Sequence, residues 1–449
     1  MVVAAVAIRR NSLSKENKKN VAIALATATC TLLGGAIPAP VQAQEEPKWD
    51  FNTAILYYGE DGGRVQDFSV SALARRTFSD DRFLTLGLTV DALVGASPNG
   101  GIEQAVPQTF TQPSGVSVFT TPANTLPIDD TFRDTRVAVS GNWEQPLGRA
   151  YKFNVGLSAS SEFDYLHLGA NAKISRDFNN RNTTVSAGFA LASDTIDPIG
   201  GVPIPMTPML DVGDLSNRLG NQSKDIVDFV FGVTQVVSRN LVVQANYSLS
   251  DSSGYLNDPY RIISIVDSVT GDVVPRTPPP GVIGPSHEYV FDSRPDKRTK
   301  HSFYTQAKYY MSGKVLDASY RYMTDDWDID SHTIDLRYRW PIDDSRYLEP
   351  HLRFYTQTDA KFYQVGVVNG SPLPAYASSD YRLGNFDAIT AGVKYGWQSR
   401  GGNEWSARLE LYQQRGSIPA DKLLGNQVGL VQYPDLNAVI FQISYRFGN

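Results

Sequence analysis

Val439, Phe441, Ile443, Tyr445 and Phe447 stand at every second place of the stretch 436–447, and between them the chain turns polar at Gln442, Ser444 and Arg446. A period of two with a large apolar residue on one parity describes a strand with one greasy and one wetter face. Sixteen segments of this kind can be placed: 49–58, 64–76, 82–94, 133–144, 150–161, 164–177, 183–193, 225–238, 240–251, 300–312, 314–324, 331–341, 346–358, 386–398, 404–415 and 436–447. Their lengths suit tilted strands that cross a bilayer in about 9–11 residues.

The connections sort by length. Even-numbered strands lead into short ones, at 78–81, 145–149, 177–182, 238–240, 312–314, 342–346 and 399–403. Odd-numbered strands lead into longer ones, including 95–132, 194–224, 252–299, 359–385 and 416–435; 59–63, 162–163 and 325–330 are short without breaking the order. Short turns at one end and long loops at the other are expected of an outer-membrane barrel. A soluble sandwich has no reason to sort its loops. The expected fold is therefore all-β: a transmembrane antiparallel β-barrel of about 16 strands, with short periplasmic turns and long extracellular loops. Mean hydropathy of −0.27 and 20% charged residues exclude a bundle of membrane helices but leave a barrel open, since only alternate residues of each strand must be apolar.

Residues 1–43 read as a cleaved signal peptide and 44–449 as one barrel domain, with no separate periplasmic domain. Arg9, Arg10, Lys15, Lys18 and Lys19 precede the apolar or small stretch 21–37, and Val41-Gln42-Ala43 fits a small-x-small cleavage site. Cys30, the one cysteine, falls in that leader, so thiol chemistry and disulfides are excluded from the mature chain. The leader carries five basic residues and one acidic, so its removal takes the net charge from −6 to about −10 and argues against nucleic acid as a partner. At the other end Gly448-Asn449 follows Phe447, whereas such barrels commonly finish on an aromatic residue.

Tryptophan gives a test independent of loop length. Trp49 and Trp405 begin strands at the expected periplasmic rim, and Trp143, Trp340 and Trp397 end strands there; Trp327 sits in an outer loop. Indole rings favour the membrane interface. Parity then assigns faces, with Leu84, Leu86, Leu88 and Val90 toward lipid and Thr85, Gly87 and Thr89 toward the lumen. In the second half the lumen wall is bulkier and charged: Asp317, Arg321, Asp335, Arg337, Arg339, Glu349, His351, Arg353, Lys394, Arg408, Glu410 and Arg446. This wall leans basic and favours anionic solutes, unless its carboxylates neutralise the arginines. The segment 225–238 is apolar on both parities, and its facing stays open.

Four candidate sites follow. Asp325, Asp326, Asp328, Asp330 and His332 offer oxygen and nitrogen ligands for a divalent cation, though without the glycine and distal glutamate of an EF-hand loop; the plain alternative is a solvated acidic turn. His301 and His332, near the outer ends of strands separated by one other, suggest a metal pair or hydrogen-bonded rim residues. His167 and His351 face the lumen, and Glu162, Asp164 and His167 form a local trio of the kind that any barrel offers. No serine elbow and no His-Glu-x-x-His occurs, so catalytic residues and an enzyme are not expected. No cofactor is called for beyond a possible divalent cation.

The wording of the loops resembles a family of Gram-negative outer-membrane proteins catalogued only as a domain of unknown function. The matching stretches are Gly95-Ala96-Ser97-Pro98-Asn99-Gly100, Pro107-Gln108-Thr109-Phe110-Thr111 with Pro113-Ser114-Gly115, 126–136, 292–302, 320–333 and 350–363. They run in order across nearly the whole mature chain. The resemblance implies a barrel in the outer membrane and no established activity or catalytic residues. Expected partners are outer-membrane lipid, lipopolysaccharide and the barrel-insertion machinery; oligomeric state is not legible. The leading functional expectation is passage of a small solute through an open or loop-gated lumen. The alternative is a surface binding or assembly protein whose outer loops engage a partner or divalent metal, with an embedded enzyme third.

Overall fold

A computed structural model describes residues 48–399, 401–430 and 433–448; the expected signal peptide lies outside them. Sixteen strands close into one antiparallel barrel. They are β1 (Lys48–Glu60), β2 (Gln66–Thr77), β3 (Phe83–Pro98), β4 (Ile128–Leu147), β5 (Tyr151–Ser161), β6 (Tyr165–Phe178), β7 (Thr183–Ile196) and β8 (Gln222–Ser238). The second half holds β9 (Leu241–Gly254), β10 (Lys297–Met311), β11 (Lys314–Asp325), β12 (Asp330–Pro341), β13 (Arg346–Gln357), β14 (Asn385–Gln398), β15 (Glu404–Ser417) and β16 (Leu436–Gly448). Each overlaps one of the sixteen sequence segments. β16 closes the ring against β1, with Phe447 opposite Phe51 and Ile443 opposite Ile55.

Closure is what permits the outer surface. An open sheet edge in hydrocarbon would leave backbone groups unpaired at several kcal/mol each, and a closed barrel has no edge. The parity expected to meet lipid is exposed along the wall: Leu86, Leu88, Leu157, Leu352, Leu411 and Phe441. β8, whose facing was open, turns Phe229, Phe231 and Val233 outward and buries Ile226 and Val230. No helix among the described residues is long and apolar enough to cross a membrane. The wall itself does the crossing, and the chain is a bacterial outer-membrane barrel.

The short turns have local causes. Ser312 and Gly313 join β10 to β11, both with positive φ (46° and 89°), and Met311 pairs with Lys314. Two residues of that conformation match the right-handed twist of the flanking strands. At the same rim the aromatic residues form one continuous stack across the closing seam. Trp49, Phe51, Phe447, Tyr445, Trp405, Trp397 and Tyr395 follow one another with ring centres 4.3–6.3 Å apart.

The long connections gather into a cap with its own cores. Strands 289–291, 262–266 and 366–368 form a small sheet, the last pair parallel. Around it pack Ile102, Phe110, Ile262, Val266, Tyr289 and Phe291 from two loops, and a neighbouring cluster holds Trp327, Phe362 and Leu383. Trp327, expected in an outer loop, is there but only 3% exposed. The turn at 267–272 folds 262–274 into a small hairpin, with Gly271 at φ 72° and Val266 bridged to Val273.

Candidate functional site

Two regions concentrate charged side chains, the lumen wall and a buried group among the cap loops. On the wall, β12 to β16 place Asp335, Arg337, Arg339, His351, Arg353, Lys394, Arg408, Glu410 and Arg446 on the parity opposite the exposed Ile334, Leu336, Leu352, Val393 and Leu409. His351 bridges two carboxylates: Nδ1 lies 2.8 Å from Glu410 Oε1 and Nε2 lies 2.9 Å from Asp335 Oδ2. Carboxylates accept only, so the ring donates to both. Arg337 Nε stands 3.3 Å from Asp335, Arg408 Nε 3.7 Å from Glu410, and Arg353 is opposite Asp335 in register. Arg339 Cζ lies over the Tyr347 ring, 3.6 Å from its centre, with Lys394 Nζ 5.5 Å from the same ring. Arg446 pairs with Asp50 at 2.6 Å. Opposite Arg337 in register, Asp317 accepts from Gln306 and lies 3.3 Å from Lys308, and further along the same strand Arg321 covers Tyr304 at 5.5 Å.

The wall encloses two cavities. One of about 360 Å³ is lined by Arg339, Lys394, Arg408, Arg446 and Glu404 near the periplasmic ends of their strands. The other, about 350 Å³, runs along the first-half wall past Ser71, Thr89, Arg136, Ser158 and His167. Asn52, Gln442 and Ser444 line both. A larger concavity, about 770 Å³, lies between Ile174, Val185, Phe231, Val233 and Phe303 on the lipid-facing surface. It is a dent in the apolar belt.

The acidic segment folds as a turn whose groups point to different partners. Asp325, fully buried, accepts from the Arg298 guanidinium at 2.5 Å and from the Trp327 and Ile329 amides at 3.0 Å. Asp326 accepts from the Thr299 amide, Asp328 stands 3.9 Å from Lys361, and Asp330 accepts from Tyr322 Oη. His332 lies 2.7 Å from Tyr320 Oη and His301 2.7 Å from Tyr247 Oη, each on the outward parity. The structure brings neither the four aspartates nor the two histidines to one point. Among the described residues, a different set has ligating atoms within 4.8 Å of one another: Asp134, Glu162 and Asp164. Glu162 and Asp164 belonged to the sequence trio, but His167 turns instead to Asp194 at 2.7 Å, beside Lys224 and Tyr165. Asp134 and Asp194 sit on other strands, and no local spacing connects them to the trio.

The cap is bolted by a second ionic group that sequence reasoning missed. Arg382 donates to Asp380 and Asp258 at 2.5 Å, and Arg294 donates to Asp292 and Asp380 at 2.9 Å. Arg261, 1% exposed, reaches Asp258 at 3.4 Å and Ser97 Oγ at 3.0 Å, while its Nη1 has no partner. The residues come from loops 255–296 and 358–384, which this latch fastens together. Ser97 follows a register shift at Gly95, whose φ of 137° suits glycine and whose absent Cβ would meet the Arg64 carbonyl at 2.1 Å. Burial raises the Asp258 and Asp380 carboxyls, but Arg382, Arg261 and Arg294 outweigh it and hold both below the usual carboxylate range. For Asp292 burial wins over Arg294 and pushes the carboxyl up to about 6. The latch is tied to the wall by Gln357 Nε2, which donates to the Arg382 and Gly384 carbonyls at 3.0 and 2.8 Å.

No curated protein matches the chain. Among solved structures it is similar to OccK5 (OpdH) of Pseudomonas aeruginosa, at 8% identity and TM-score 0.39, over 91% of this chain and 100% of that one. It is also similar to opdK of the same organism, at 10% identity and TM-score 0.37, over 90% and 99%. A ferric enterobactin receptor mutant of that organism, PfeA Q482A, aligns at 10% identity and TM-score 0.41 over 85% of this chain and 56% of the receptor, little more than half its length. Likeness at this level carries no information about activity. The family model described as "Protein of unknown function (DUF3570)" matches residues 22–447, and the chain belongs to that family.

Proposed function

We propose that the protein is an outer-membrane passage for a small solute, closed at rest by its own outer loops. One contrast supports this reading. Two voids within the cap measure about 20 Å³ each, whereas the lumen holds cavities of about 360 and 350 Å³ with shared polar residues. A barrel used only as a scaffold gains stability by filling its interior with side chains, as small barrels do. Here the interior stays hollow, lined by charged groups on its second-half side and by small, hydroxyl and apolar ones on its first-half side, and the packing is concentrated at the outer mouth.

The reading is tested in planar bilayers. The wild-type barrel is expected to conduct rarely, and Asp380→Asn, which loosens the latch, to raise open probability. A folded protein that stays silent in both forms would refute it. A second reading is a surface-binding protein, favoured by the apolar residues Val116, Val269, Ile283 and Val428 that the cap exposes. It predicts capture of a soluble partner that is lost when these four become serine, with no conductance in any variant.

A further inference from the structure

We infer that the periplasmic cavity is an anion-binding vestibule for a small solute bearing two or three carboxylate or phosphate groups. The inference rests on the passage reading above, since it names the class of solute that would pass. Four cations, Arg339, Lys394, Arg408 and Arg446, line the cavity of about 360 Å³ against one carboxylate, Glu404. That carboxylate is already engaged by the Tyr347 hydroxyl at 2.6 Å. The neighbouring acids are committed as well: Asp50 holds Arg446, and Glu410 takes the His351 ring at 2.8 Å. Glu349 stands opposite Lys394 in register but does not line the cavity. Arg339 and Lys394 are placed by the ring of Tyr347, and among the described residues neither forms an ion pair with a carboxylate. Their N–H donors are therefore left for a ligand, while Arg408, whose Nε lies 3.7 Å from Glu410, shares that carboxylate with His351.

The arrangement suits oxyanions more than halide. A stacked guanidinium is pre-organised and presents its donors in a planar fork that matches carboxylate and phosphate. Ser406 and Gln442 add neutral groups on the same wall. The cavity's position explains its charge economy. Toward the middle of the barrel His351 bridges Asp335 and Glu410, whereas the four cations that line the cavity lie at the periplasmic end.

The test is calorimetric titration of the full mature barrel in neutral-lipid nanodiscs at low chloride, with citrate and inorganic phosphate as probes. Folding of every variant is checked by heat-modifiable mobility. Saturable binding of at least one probe is expected, weakened at least tenfold in the double variant Lys394→Gln/Arg408→Gln and largely kept in Arg408→Lys. Preference between the probes assigns the site to carboxylates or to phosphates. No saturable binding of either probe, or equal binding by wild type and double variant, would overturn the site. The two proposals fail separately. Lost binding with conductance intact removes the vestibule and spares the passage. A silent bilayer with citrate or phosphate still bound removes the passage and spares the site.

Discussion

The cap latch and the lumen wall use the same residue types to opposite ends. Both oppose arginines to aspartates within a few ångströms. In the latch Arg261, Asp380 and Asp292 are almost wholly buried, and three loop arginines meet three aspartates. On the wall the Arg337 side chain is 41% exposed and that of Arg446 60%, and Arg446 borders a cavity of about 360 Å³. Burial makes the difference. A desolvated pair cannot lose one member cheaply, so it acts as a fastener; a wetted cation keeps its water until something better arrives, so it acts as a site.

That contrast can be broken at either end. The largest effect is expected from Asp380→Ala, which takes one carboxylate partner from each of three buried or half-buried guanidinium groups and should destabilise the cap locally by about 3–5 kcal/mol. Protease sensitivity of loops 255–296 and 358–384 should rise while the strands stay protected; a cap as resistant as wild type would show that the apolar cores alone hold it. Next, Arg337→Glu combined with Arg353→Glu should cost under about 1 kcal/mol in stability, because these groups are partly solvated. The pair should nevertheless shift reversal potential toward cation preference, and an unchanged potential would mean that the wall does not touch the conducted path. The smallest effect is on pH. A carboxyl raised by burial stabilises the folded cap while protonated; that contribution is full below its ordinary value and is lost as pH rises through about 6. Asp258 and Asp380, held low, contribute above their ordinary values and lose that contribution only as pH falls through the depressed ones. Hydrogen exchange of amides 289–293, corrected for intrinsic rate, should therefore speed modestly from pH 5 to 7, and Asp292→Asn should flatten the trend.

The two regions also differ in how far the sequence announced them. The wall was legible because a strand repeats every two residues, so the apolar parity of Leu352 and Phe354 fixes His351 and Arg353 on the other face without any knowledge of neighbours. Short turns and the tryptophan rim ordered the strands. β8 resisted because Ile226 and Val230, on the inner face, are as apolar as Phe229 and Phe231 outside. The latch was illegible. Asp258 and Arg382 are 124 residues apart and meet only because separate loops cross over the mouth. The acidic run 325–332 looked sharp in sequence because its residues are adjacent. Adjacent residues on a strand and tight turn point different ways, and Asp325 went inward while Asp328 went out. Proximity in the chain misled there, and the carboxylates that do converge, Asp134 with Glu162 and Asp164, come from two segments.

The central claim is that a hollow polar lumen lies closed beneath a separable cap. Single-channel recording of the wild-type barrel and its Asp380→Ala variant in one bilayer system tests it most directly. A mostly closed wild type is expected, and a variant with frequent, long openings of the same unit conductance. A variant that is folded, with its cap demonstrably loosened to protease, and yet never conducts would contradict it.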